Sequence, residues 1–90
     1  MKRVILKIYG EVQGIFYRAQ TLDIARKLGL VGWVRNESDS TVQIIAEGEE
    51  KELKYFVEKC YTIPSAVVER IEVEWGEATG EFEEFKIRHH

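Results

Sequence analysis

Residues 4–36 read VILKIYGEVQGIFYRAQTLDIARKLGLVGWVRN, and the hydrophobic rhythm changes three times within them. Val4, Leu6 and Ile8 alternate with Ile5, Lys7 and Tyr9, which is the period of a strand. Both sets are largely apolar, so the strand is expected in the middle of a sheet. Gly10 and Gly14 bracket a short loop. From about Tyr17 to Leu28 the period becomes helical, with Leu22, Ala25 and Leu28 on one face. Arg26 and Lys27 complement the helix dipole in the last turn, and Gly29 suits a left-handed C-terminal cap. Val31 to Asn36 is a strand again.

The rest of the chain repeats this plan. Glu37-Ser38-Asp39-Ser40 reads as a turn, and Thr41 to Glu47 completes a hairpin with the strand before it. Glu49 and Glu50 open a second helix, whose Leu53, Phe56, Val57 and Cys60 recur at i, i+3, i+4, i+7. Pro64 lies just beyond its end. Val67 to Trp75 is a fourth strand, with Val67, Ile71, Val73 and Trp75 on one face and Arg70, Glu72 and Glu74 on the other. Phe85 and Ile87 mark a short fifth strand. The order β-α-β-β-α-β plus a last β is the ferredoxin-like pattern of the α+β class. It predicts an antiparallel sheet covered on one face by two helices. No linker or repeat divides the 90 residues, so a single domain spanning 1–90 is expected. The fold hosts enzymes, metabolite sensors, metal chaperones and RNA-binding modules, so function has to be read from a site.

Composition narrows the partners. The net charge is −3, whereas a protein that neutralises many phosphates is usually basic. The strand Val42-Gln43-Ile44-Ile45-Ala46-Glu47 also lacks the aromatics of an RNA-binding sheet. Nucleic acid is therefore not expected, and no apolar stretch is long enough to predict a membrane span. Cys60 is the one cysteine and lies on the apolar stripe of its helix, which predicts a core residue in a reducing, cytoplasmic setting. Trp33 and Trp75 read as core or sheet-face residues, and Glu72, Glu74, Glu83 and Glu84 as a solvated acidic surface. His89 and His90 lie far in sequence from any candidate motif and are given no role.

The segment that can carry chemistry is Gly10-Glu11-Val12-Gln13-Gly14-Ile15-Phe16-Tyr17-Arg18. It joins a central strand to the start of a helix, where unpaired N–H groups point one way with the dipole behind them. Glycines let such a backbone curl around an anion, and Arg18 can add a planar charged fork. The plainer reading is a tight turn followed by a solvated arginine. No Gly-Lys-Ser/Thr follows the loop and no acidic ligands gather near it, so neither a nucleoside-triphosphatase loop nor a metal site is expected. Asn36, at a strand end, reads by itself as a turn residue.

The segment resembles the acylphosphatase signature Gly-x-Val-Gln-Gly-Val-x-Phe-Arg. Gly10, Val12, Gln13, Gly14 and Arg18 match it, Ile15 and Tyr17 are close replacements, and Phe16 falls at a free position. Leu28-Gly29-Leu30-Val31-Gly32-Trp33-Val34-Arg35-Asn36 resembles the family's second signature, which ends in a hairpin asparagine. The resemblance covers essentially the whole chain. It implies a cofactor-free hydrolase of acyl phosphates that releases inorganic phosphate, with the monomer as the expected form. It further implies that the backbone of Gln13, Gly14, Ile15, Phe16 and Tyr17 cradles the phosphate, that Arg18 binds it, and that Asn36 orients the attacking water. Two departures stand out. Asp39-Ser40 replaces the usual Asp-Gly, so the hairpin turn is less well specified. Ile63-Pro64 replaces Gly-Pro after the second helix. A sensor that binds a small anion without turnover is a competing reading of the loop, but it would not need Asn36.

Overall fold

The computed structural model describes Met1–His89. His90 lies outside the described residues. The elements are β1 (Lys2–Glu11), α1 (Ile15–Lys27), β2 (Val31–Asn36), β3 (Val42–Gly48), α2 (Glu50–Tyr61), β4 (Val67–Glu77) and β5 (Phe85–Ile87). The strands form one sheet in the order β4-β1-β3-β2-β5. The pairs β1–β3, β1–β4 and β2–β3 are antiparallel, as expected for the ferredoxin-like core. The added strand differs, because β5 runs parallel to β2 and makes the sheet mixed. The chain has to cross from the β4 edge to the β2 edge first. That crossing is held by Glu47, whose carboxylate accepts from the Thr79 N–H (2.9 Å), the Thr79 hydroxyl (2.9 Å) and the Gly80 N–H (3.1 Å). Burial opposes the charge on Glu47, yet these donors outweigh it and keep the carboxyl below its ordinary pKa. Arg26 then fixes β5, donating to the Phe85 carbonyl from Nε and Nη2.

Alternation decides what the helices cover. Val4, Leu6 and Ile8 of β1 are fully buried, as are Val42, Ile44 and Ala46 of β3 and Val34 of β2. From α2, Leu53, Phe56 and Cys60 close onto them, with Phe56 meeting Phe85 edge-on at 6.0 Å between ring centroids. The α1 stripe is Tyr17, Thr21 and Ala25, with Leu22 and Leu28 only partly buried against the core. Thr21 can be buried because its hydroxyl donates to the Arg18 carbonyl one turn back, at 2.8 Å. Trp33 lies on the opposite face of the sheet, with the guanidinium groups of Arg35 and Arg88 at 4.7 and 5.1 Å from its ring centroid.

Strand β4 departs from its expected pattern. Tyr9 pairs with Arg70 but Gly10 pairs with Val68, so Glu69 is an extra residue. The bulge exchanges the faces beyond it. Val68 packs against the core in place of Val67, which is 60% exposed. Val73 and Trp75 are also exposed, because β4 is an edge strand that α2 only partly covers. Among the described residues, no helix is long and apolar enough to cross a membrane.

Candidate active site

The bulge also explains Gly10. A Cβ there would lie 2.2 Å from the Val67 carbonyl oxygen and 2.8 Å from the Glu69 nitrogen, so only glycine admits β4 at this point. Gly14 has φ 150 and ψ 158, a conformation open essentially to glycine alone, and it is the N-cap of α1. The helix starts at Ile15, earlier than the periodicity predicts, so Ile15, Phe16 and Tyr17 form its first turn and not a loop. No side chain caps α1 and its first turn carries no acid, whereas α2 begins with Glu50 and Glu52. The positive end of α1 is thus offset by neither a capping side chain nor an acidic residue of its first turn.

Tyr17 anchors this turn from below. It is buried, and its hydroxyl donates to the Cys60 carbonyl at 2.9 Å, near the C-terminal end of α2. Burial raises the pKa of Tyr17 and pushes the Cys60 thiol up to about 12, so neither supplies an ionised group near neutral pH. Phe16 is turned to solvent.

Topology places Arg18 and Asn36 at the same end of the sheet. Strands β1 and β2 both run antiparallel to β3, so their C-terminal ends lie at the same end of the sheet. Ile8 and Asn36 pair with the same residue, Val42. Asn36 lies two residues after the buried Val34 and therefore faces the helices. Helix α1 begins at that end, with Arg18 in its first turns. Each residue keeps one buried atom without a partner: Arg18 Nε and Asn36 Oδ1. Arg18 makes no ion pair among the described residues. Buried polar atoms are nearly always satisfied, and these two at one end of the sheet are not; Arg3 Nε, near the start of β1, is a third such atom.

Gln13 reaches the hairpin instead of an anion. Its amide nitrogen donates to the Glu37 carbonyl (2.6 Å) and to the Thr41 carbonyl (3.0 Å). Sequence reasoning placed the Gln13 backbone in the phosphate cradle and missed this side-chain role, because the partners lie 24 and 28 residues away.

The hairpin turn is better specified than Asp39-Ser40 suggests. The Glu37 N–H donates to the Thr41 carbonyl at 2.8 Å, and Asp39 accepts from both the N–H and the hydroxyl of Thr41. Lys7 reaches the other Asp39 oxygen at 3.0 Å. The Thr41 hydroxyl, then Lys7 and the Thr41 N–H, hold the Asp39 carboxyl down at about 2. A carboxyl depressed in the folded state adds stability above its unfolded pKa of about 3.9, and that stability is lost as pH falls through the folded value. These contacts therefore persist across the neutral range. The departure from Asp-Gly does have a cost. Ser40 has φ 73, the only positive φ at a non-glycine residue among those described. A left-handed residue with a side chain costs about 1–2 kcal/mol, and the added chain entropy of glycine offsets about 0.4–1. Ser40→Gly is expected to stabilise the protein by about 0.5–1 kcal/mol, read as a higher urea midpoint with unchanged slope. A lower midpoint would contradict this account of the turn.

Among the described residues, no three His, Cys, Asp or Glu side chains are grouped to hold a metal ion. A depression of ≈ 450 Å³ lies beside the loop, lined in part by Gly10 to Gln13, Ser40 and Pro64, but neither Arg18 nor Asn36 lines it. The candidate site is the surface at the start of α1, outside this depression.

Comparison with known proteins agrees with the motifs. Residues 4–87 match the acylphosphatase family model. The chain is 41% identical over 86 residues to an acylphosphatase of Pelotomaculum thermopropionicum, covering 94% of each. It is 47% identical over 85 residues to one of Marinobacter nauticus, covering 93% of this chain and 92% of the relative. The crystal structure of acylphosphatase from Bacillus subtilis superposes with a TM-score of 0.93 at 34% identity, covering 98% of this chain and 99% of that one. The chain belongs to the acylphosphatase family, enzymes that hydrolyse acyl phosphates.

Proposed function

We propose that hydrolysis runs by in-line attack of a water positioned by Asn36 on a phosphate held by Arg18 and the backbone of residues 13–17. The observation that carries this reading is the pair of orphaned buried atoms, Arg18 Nε and Asn36 Oδ1, on elements that meet the same end of the sheet as the uncapped start of α1. The first N–H groups of α1 and the guanidinium fork receive the phosphoryl oxygens and stabilise the charge that develops on them. Asn36 Oδ1 accepts a hydrogen from the water and sets its oxygen in line with the breaking bond. The new P–O bond forms from the water oxygen. The bond to the acyl oxygen breaks with its electron pair, releasing a carboxylate. A carboxylate whose acid has a pKa of about 4 leaves without a general acid. An amide is too weak a base to take the water's proton, which passes to a phosphoryl oxygen, giving inorganic phosphate. The enzyme is read as cytoplasmic, in keeping with a single buried free thiol at Cys60, and as a monomer.

The test uses purified protein with acetyl and benzoyl phosphate in excess chelator. Full activity is expected, because the acting groups are a guanidinium, an amide and backbone N–H groups. Inorganic phosphate should inhibit competitively, since the cradle that binds substrate also binds product. A rate abolished by chelator and restored by magnesium would overturn the mechanism, and noncompetitive inhibition by phosphate would overturn the assignment of the cradle.

A further inference from the structure

Resting on the mechanism above, we infer that Gln13 is a positioning residue: its carboxamide sets the phosphate loop and the Asn36 hairpin at a fixed separation. The two N–H bonds of one amide go to two carbonyls, those of Glu37 and Thr41, on opposite sides of the same turn. The Thr41 carbonyl also accepts the Glu37 N–H at 2.8 Å, so Gln13 joins the bond that closes the hairpin. Glu37 directly follows Asn36, the last residue of β2, and Gly14, the N-cap of α1, directly follows Gln13. One side chain thus ties the first residue of the anion cradle to the residue after the water-positioning amide. No other side-chain hydrogen bond or salt bridge among the described residues joins the loop 12–14 to the turn 37–41. Both donors of the amide are engaged, so an aliphatic side chain cannot replace it. In-line attack depends on the distance between the cradled phosphorus and the water, and a misplacement of about 1 Å can cost about a hundredfold in rate.

The experiment is a double-mutant cycle on the full chain between Gln13→Ala and Asn36→Ala, with kcat, KM and the inhibition constant of inorganic phosphate measured for each variant. Gln13→Ala should lower kcat by at least about tenfold while the phosphate constant stays within about twofold, because the cradle is intact and only the water's register is lost. In the Asn36→Ala background the same change should have little further effect on kcat, because the group it positions is gone. A kcat within twofold of wild type for Gln13→Ala overturns the inference. So does a phosphate constant that weakens by the same factor as kcat, which would make the Gln13 side chain itself part of phosphate binding. Two effects that multiply would also overturn it, since Gln13 would then act independently of Asn36. If Asn36→Ala alone keeps wild-type kcat, the mechanism has failed and the inference falls with it. Should Gln13→Ala not fold, Gln13→Asn is read by the same outcomes, since its amide is one methylene too short to reach both carbonyls.

Discussion

Replacing Arg18 by glutamine is expected to lower kcat/KM for acetyl phosphate by about 10²–10³-fold, the loss that follows removal of one preorganised donor to developing charge. The estimate is a lower bound, because arginine supplies several donors in one plane together with a full charge. Arg18→Lys should recover only part of the loss, since an ammonium cannot reproduce the fork. Stability should move the other way. Arg18 is half-buried, its Nε has no partner, and it makes no ion pair among the described residues. A polar atom left unsatisfied in the folded protein costs free energy, so Arg18→Gln is expected to raise the denaturation midpoint or leave it unchanged. The two measurements together separate a lost site from a lost fold. An activity within threefold of wild type would remove Arg18 from the mechanism, and a lower midpoint would show that its guanidinium is a structural group.

The sequence carried the element order because its periods are long and clean. Val4, Leu6 and Ile8 from the alternation at 4–9, and Leu53, Phe56 and Cys60 from the second stripe, all lie in the core, with Val57 packed against it and partly buried. The errors fall where local signals are equivocal. Val67 and Val68 are both apolar, so alternation could not choose which faces inward, and the bulge at Glu69 that decides it arises only when β4 is laid against Gly10. The start of α1 was placed late because the usual signals are missing. Gly14 stands where a capping side chain is expected, and bulky Ile15 and Phe16 open the helix. On the proposed mechanism the missing cap leaves N–H groups for the phosphate, so the local rule fails where the candidate site would need it to fail. Arg18 and Asn36 are readable as motif positions, but only the pairing of both Ile8 and Asn36 with Val42 brings the two strand ends to the same end of the sheet. The side-chain role of Gln13 was unreadable, because a hydrogen bond to a backbone carbonyl leaves no mark on the identity of the residue that offers it.

Asn36→Ala is expected to lower kcat by about a hundredfold while inorganic phosphate still competes with nearly unchanged affinity, because water placement is lost and the cradle remains. The kcat–pH profile then tests whether Asn36 positions the water or a hidden base activates it. Guanidinium, carboxamide and backbone N–H groups do not titrate between about pH 5 and 9. Wild-type kcat should therefore be flat across that range, and kcat for Asn36→Ala should be lower and equally flat. Nearby groups leave this expectation intact. The hairpin carboxyl of Asp39 is held at about 2 and stays charged, while burial keeps Tyr17 and Cys60 neutral. Substrate ionisation can bend kcat/KM on the acid side, because the cradle favours the dianion, but it need not bend kcat once the enzyme is saturated. A general base would instead give kcat a limb that rises with an apparent pKa near neutrality. Finding such a limb in wild type, and again in a variant lacking His89 and His90, would make the water's activator a titrating side chain. Glu11, the carboxylate that ends β1 at the mouth of the loop, would then be the first to replace. A flat profile with the hundredfold loss would leave Asn36 as an orienting group and the substrate's own phosphoryl oxygen as the acceptor of the proton.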